Sequence, residues 1–390
     1  MKGKYFILIL SLSLFLMLTS CAPPSAPNRL IWSKVFGGSE DDVFFSALPV
    51  EDGFLLVGVT NSSDGDLSGF TPKQKDAWIL KINEQGDIEK QLVAGGNNDE
   101  RVIEGIMETD DAYVIYGLTY SDDIEDYEGN GDGLAIRFSK DLELMDITAL
   151  GDPDTYDILV HASLLQNNYN GYIGALINSL MENAWYTLFF VIEPESGKIA
   201  TGTYFEEAKY QKFLETPDGG FLFVGAVEQA GEATGTIVKL KSDLTQDWTI
   251  EIPGVALFDV VEKDGKYVVA GTKERKEGYA AVISDDGTVV LEGFFEGEGD
   301  SYISSIDVTE DGNIIFGGTT GWDFWIIKTD ENLGKLWEGR YGGSDLEVLK
   351  KIVALPNGEA LAVGYSRSKE IVKYGKSDGW VLKLNVGGSS

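Results

Sequence analysis

The residues of this chain best equipped for chemistry are acidic, and they fall in short runs. Asn61-Ser62-Ser63-Asp64-Gly65-Asp66 and Ser121-Asp122-Asp123-Ile124-Glu125-Asp126 form one set. Glu40-Asp41-Asp42, Asn98-Asp99-Glu100, Glu296-Gly297-Glu298-Gly299-Asp300 and Asp345 form another. Oxygen-rich loops of this kind bind hard cations such as calcium. The richest run, Asp122 to Asp132, misses the spacing Asp-x-Asp-x-Asp-Gly that ends in a distant glutamate. A solvated acidic surface is therefore the default, and calcium at Asp122, Asp126 and Asn130 is the alternative; no cofactor is assigned. The sequence has one histidine, His161. Any Ser–His–Asp triad would need it, and no Gly-x-Ser-x-Gly elbow is present. One histidine also excludes a histidine-rich metal centre. No catalytic residue is assigned.

A second group of aspartates recurs: Asp76, Asp323 and Asp378, with Asp132 as an equivalent, stand before apolar segments at matching places. Catalytic groups are seldom repeated this way, whereas structural clamps are. These carboxylates are expected to accept hydrogen bonds from turn N–H groups. Trp78, Trp325 and Trp380, two residues beyond three of them, are expected to pack between structural units.

The chain positions these residues with a repeat. Apolar runs ending in glycine recur as Phe54–Gly58, Tyr113–Gly117, a weaker Gly171–Gly174, Phe221–Gly225, Tyr267–Gly271, Ile314–Gly317 and Ala360–Gly364. The terminal glycines are 59, 57, 51, 46, 46 and 47 residues apart. Turn residues such as Glu51-Asp52-Gly53 and Lys263-Asp264-Gly265 precede several runs, a hairpin signal. A mixed strand precedes each run, and third and fourth strands follow. Four antiparallel strands in such a span make a propeller blade. The runs are apolar at successive residues, as sheets packed on both faces require. In the antiparallel meander, the 2–3 and 4–1 loops emerge at one end, so that end should be strongly acidic. His161 falls on an innermost strand as a channel-lining or hydrogen-bonded residue. Phe205–Glu215 is the one segment read as a possible short helix.

The last unit stops after Lys383-Leu384-Asn385 without a fourth strand. Ile31-Trp32-Ser33-Lys34-Val35-Phe36-Gly37-Gly38-Ser39 repeats the fourth-strand sequence Leu336-Trp337-Glu338-Gly339-Arg340-Tyr341-Gly342-Gly343-Ser344. The expected fold is all-β: a seven-bladed propeller of four-stranded antiparallel blades, its last blade completed by the N-terminal strand. The expected divisions are a signal segment at 1–20, a tether at 21–29, the propeller at 30–385 and a tail at 386–390.

The first twenty residues have a basic start and an apolar run, the pattern of a secretory signal. They end Leu18-Thr19-Ser20-Cys21-Ala22, which resembles the bacterial lipoprotein signal. That resemblance implies cleavage before Cys21 and lipidation of its thiol. Acyl anchoring of this kind holds stably when two or more chains are attached. Cys21 is the only cysteine, so no intramolecular disulfide forms. Net charge is −33, or −35 once Lys2 and Lys4 are removed with the signal. Such a chain repels nucleic acid.

Gly-Gly-Ser, then Asp-Gly-apolar-Gly, then Asp-x-Trp-apolar-apolar-Lys together resemble the repeat of bacterial surface β-propeller lipoproteins, over nearly all of the chain beyond the signal. Units 1, 6 and 7 match well, and unit 3 departs most. The paired glycines follow the fourth strand, unlike those of kelch repeats, and no Trp-Asp repeat ending is present. The resemblance specifies a fold and says little of activity. The expected function is noncatalytic binding or scaffolding of a protein or glycan by a monomer, exported and anchored to a bacterial membrane through Cys21. It would face the periplasm or the exterior. The alternatives are an envelope assembly factor docking other membrane proteins and a propeller enzyme, quinone-dependent or otherwise.

Overall fold

The computed structural model describes residues 29–387, apart from Glu195 and Ala230. The signal segment, Cys21 and most of the tether lie outside the described residues. Twenty-eight strands form seven four-stranded antiparallel sheets. Six blades are continuous in sequence: 42–94, 100–150, 156–206, 209–253, 255–296 and 301–341. Blade 7 joins Glu347–Leu355, Glu359–Ser366 and Asp378–Asn385 to the N-terminal strand Leu30–Phe36. In that pairing Trp32 faces Lys383 and Val35 faces Trp380. The Trp380 indole N–H donates to Ser33 Oγ at 2.8 Å. Each blade's first strand contacts the first strand of the next blade, and blade 7 contacts blade 1, so the ring is closed.

The core consists of seven clusters, each straddling two neighbouring blades. This explains the uninterrupted apolar runs. In Gly53–Thr60, Phe54 and Leu56 pack toward blade 7, while Leu55 and Val57 pack toward blade 2. Every second strand thus serves two interfaces, and each fully buried large side chain contributes about 1.5–3 kcal/mol. Trp78, Trp325 and Trp380 lie in these interfaces.

Three details differ from the sequence reading. Phe205–Glu215 is not helical: Ile199–Glu206 ends blade 3 and Lys209–Glu215 opens blade 4, its aromatics buried against Phe223. The propeller also extends past both expected bounds. Arg29 stacks its guanidinium 4.7 Å over Trp337. Buried Val386 accepts the Lys328 ammonium through its carbonyl at 2.7 Å. Finally, every inner strand carries a β-bulge near its middle. The repeat glycine sits opposite the residue before it, because a Cβ there would strike a carbonyl. At Gly58 that Cβ would lie 1.8 Å from Val43 O, and at Gly318 2.0 Å from Tyr302 O. The equivalent place in blade 6 is therefore Gly318, not Gly317. In blade 3 it is Ile177, and Gly174 lies against Phe213 instead.

Candidate functional site: an acidic loop end over a central cavity

The 4–1 loop of each well-matched unit is zipped to a neighbouring 2–3 loop by acidic and hydroxyl side chains. Asp42, grouped above with the acidic face, is fully buried. It accepts the Gly38 N–H at 2.7 Å, Thr60 Oγ1 at 2.5 Å and Ser62 Oγ at 2.8 Å. Glu100 makes the same set with Gly96, Thr119 and Ser121, and Glu347 with Gly343 and Ser366. Burial pushes the Asp42 carboxyl up to about 6 and that of Glu100 up to about 7, although these hydrogen bonds favour the charged form.

The recurring aspartates act as loop caps where a long loop exists. Asp76 accepts the Lys73 N–H, Asp132 that of Glu128, and Asp378 those of Lys373 and Tyr374. Asp323 follows the two-residue turn Gly321-Trp322 and has no such loop to cap. The other oxygen of Asp76, Asp132 and Asp378, Oδ1, is buried without a hydrogen-bond partner.

The remaining acidic residues gather at one end, as the topology requires. Asp64, Asp122, Asp123, Asp126, Asp300 and Asp345 are exposed, and Asp41, Asp66 and Asp99 are half-buried. Many hold the loops together rather than waiting for a ligand. Asp64 accepts the Ser39 N–H at 2.7 Å, and Asp123 accepts that of Asn97 at 2.8 Å. Asp66 accepts the Gly37 N–H and pairs with Lys373 at 3.2 Å. Asp41 accepts Ser377 Oγ, and Asp99 accepts the Lys75 N–H. Asp345 caps its own neighbour, Leu346. Two of the three residues of the calcium alternative have protein partners. Asp122 takes the Asn97 amide, while Asn130 donates to the Pro153 carbonyl. Among the described residues, no three His, Cys, Asp or Glu side chains are placed to hold a metal ion.

Beneath this end lies a cavity of about 1550 Å³ along the ring axis. Its mouth includes Gly231, Gly254, Arg275 and Asp300 from the turns of blades 4 and 5. At its waist, Asp259 pairs with Lys212 and lies 3.7 Å from Lys351 on the far wall. Burial alone would push Asp259 up, but the two lysines hold it down at about 2. His161 lines the cavity, and its Nδ1 lies 3.1 Å from the Tyr116 hydroxyl. Burial and then Lys212 push it down to about 3, so it is neutral at physiological pH. The bulges and this waist were missed in the sequence; a lysine pair at 350–351 in an inner strand was the only local signal.

No family model matches this sequence, and no curated protein matches it. Solved structures do. The WD40 β-propeller domain of Doa1 matches at a TM-score of 0.57 with 12% identity, over 93% of this chain and 98% of that one. Hydrazine synthase of Kuenenia stuttgartiensis matches at 0.55 with 12% identity, over 83% and 93%. Chaetomium thermophilum Sqt1, bound to the N-terminus of ribosomal protein L10, matches at 0.51 with 12% identity, over 92% and 100%. At these identities the likeness is one of fold. The matched proteins include an enzyme and a peptide-bound propeller, so the fold leaves activity open.

Proposed function

We infer that this chain is a lipid-anchored cell-envelope propeller that acts by noncatalytic binding, taking a protein or glycan partner at its loop end. One observation carries the reading. A large cavity opens where the loops gather acid, and its only histidine is half-buried, neutral and bonded to a tyrosine rather than to a nucleophile. The anchor rests on Leu18-Thr19-Ser20-Cys21 and the proline-containing segment after it. So short a segment between Cys21 and the first strand keeps the ring close to the bilayer.

Ala256 lines the cavity near its mouth. Ala256→Trp should narrow its mouth and abolish capture of the partner from envelope membranes, with the melting temperature preserved. Undiminished capture would remove the cavity from the binding site. Cys21→Ser should move the protein from the membrane to the soluble fraction, and an unchanged distribution would refute the anchor.

A further inference from the structure

We propose that the seam between blades 7 and 1, and the junction between blades 1 and 2, each bind a proton, shared between two buried carboxyl groups and fastening one blade to the next. This goes beyond the partner-binding reading and stands without it.

The two junctions share one arrangement. At the seam, Asp378 follows the 2–3 loop of blade 7 and Asp42 opens the inner strand of blade 1, and both are fully buried. Asp378 Oδ2 accepts the Lys373 and Tyr374 N–H groups, while Oδ1 has no hydrogen-bond partner. Asp378 Oδ1 and Asp42 Oδ2 crowd one side of Gly37, 2.7 and 2.8 Å from where its Cβ would be. Gly37 directly follows Leu30–Phe36, the strand that closes the ring. At the next junction Asp76 and Glu100 are buried, Asp76 Oδ2 accepts the Lys73 N–H and Oδ1 is orphaned. Glu100 Oε2 and Asp76 Oδ1 lie 2.2 and 2.9 Å from the Cβ position of Gly95. Only a residue without a Cβ leaves a space in which two carboxyl groups can meet.

Whatever occupies this space must satisfy a buried, orphaned acceptor. Two anions cannot do that for each other. Calcium takes about six to eight oxygens. Here two carboxyl groups meet, and their other lone pairs are engaged. Asp42 accepts Gly38, Thr60 and Ser62, and Glu100 accepts Gly96, Thr119 and Ser121. A hydrogen carried by one carboxyl donates to the other, answers the orphaned oxygen and removes one of two buried charges. On folding, each junction takes one proton from water. One O–H bond forms, and nothing is oxidised or reduced.

The charged neighbours are engaged elsewhere. Beside the seam, Lys373 pairs with Asp66 at 3.2 Å and Lys376 with Glu40 at 2.5 Å. Asp41 accepts Ser377 Oγ, and Asp64 accepts the Ser39 N–H. Beside the second junction, Lys73 pairs with Asp123 at 3.3 Å and Arg101 stacks on Tyr120. Lys75 and Asp99 stand on the flanking loops, joined by the Lys75 N–H. Burial foremost raises all four carboxyls, Asp42 to about 6 and Glu100 to about 7. Two groups that each resist ionisation titrate as one pair. The Asp323–Glu347 junction is the contrast, because Asp323 is only half-buried and water can solvate it.

The test is proton release on urea unfolding of the full chain, in detergent and weak buffer at about pH 5.5, where unfolded carboxyls are ionised. Asp378→Asn and Asp76→Asn each put an amide N–H where the shared hydrogen lies. Each should lower the release by about one proton, and the double variant by about two. Asp323→Asn should leave the release unchanged. Infrared spectra of folded wild type keep the proposal testable if a variant fails to fold. A buried carboxyl C=O band present at about pH 5 should be gone by about pH 8. Release that is the same in wild type, Asp378→Asn and Asp76→Asn places the protons on single residues and overturns the sharing. An equal fall in Asp323→Asn, or no carboxyl band in folded wild type, overturns it too.

Discussion

The ring contains two arcs assembled differently. From blade 6 through 7, 1 and 2 to blade 3, each junction sets an aspartate of one blade's third strand near an acid that opens the next inner strand. The pairs are Asp323 with Glu347, Asp378 with Asp42, Asp76 with Glu100 and Asp132 with Asp157. Gly342, Gly37 and Gly95 each pack against both acids of a pair, and Gly151 packs against Asp132. From blade 3 to blade 6 the inner strands hold Ala208, Val255 and Ser301 at that place, and no pair forms. The clamped arc carries the long 2–3 loops at 61–75, 120–131 and 367–377. The plain arc has short turns, and those of blades 4 and 5 form the cavity mouth. Long loops leave many backbone N–H groups to satisfy, and the clamps satisfy them. Where the turns are short, the end of the ring is free to be a mouth.

The sharpest way to break this contrast is to attack the Lys212–Asp259 ion pair of the plain arc, whose carboxylate is buried. Asp259→Asn leaves the half-buried Lys212 ammonium beside an uncharged amide. Removing one partner of a buried pair costs about 3–5 kcal/mol. Urea unfolding should show that loss, larger than for any single junction change. A loss below about 1 kcal/mol would mean that water already reaches the pair, as at an exposed bridge.

A junction glycine should matter next. At Gly342 a Cβ would lie 2.0 Å from Asp323 Oδ1 and 2.6 Å from Glu347 Oε2. Gly342→Ala must push half-buried Asp323 and buried Glu347 apart, and overpacking of this kind costs about 1–3 kcal/mol. Gly265, in a blade 5 turn, has φ of +72° and nothing within 4 Å of a Cβ. Gly265→Ala should cost only the left-handed conformation, about 1 kcal/mol. Equal losses would show that the clamp is loose.

The clamped arc was legible in sequence because its residues recur. Gly-Gly-Ser, Asp-x-Trp and the split last blade predict closure and place the four aspartates. What the repeat could not reveal is depth. Asp42 and Asp41 are neighbours, yet one is a buried clamp and the other half-exposed, because strand alternation begins between them. The plain arc was harder to read. Its bulges leave no mark beyond a glycine on the opposite strand, and in blade 3 even that glycine is Ile177. The waist joins Lys212, Asp259 and Lys351 from three blades. No local spacing records such a meeting.

The finest test of the comparison is pH. Burial foremost raises Asp42 to about 6 and Glu100 to about 7, and Asp378 and Asp76 add like-charge repulsion. In the unfolded chain such groups titrate near 4. The folded ring therefore holds these protons more tightly. The stability they contribute is full below about pH 4 and is lost as pH rises through 6 for Asp42 and 7 for Glu100. Asp378→Asn isolates one junction. The amide oxygen can still accept the Lys373 and Tyr374 N–H groups, while the NH₂ takes the place of the orphaned Oδ1. Gly37 packs against both Oδ1 and Asp42 Oδ2, 2.7 and 2.8 Å from where its Cβ would be, so the new donor lies close to the Asp42 carboxylate. Repulsion becomes attraction only when Asp42 is charged. Asp378→Asn should thus stabilise the ring at pH 8 by about 1 kcal/mol, a gain that fades toward pH 5. Urea titrations at the two pH values measure it. A variant less stable than wild type at pH 8 would show that Asp378 is needed as an anion, and that the clamped junctions are held by charge rather than relieved of it.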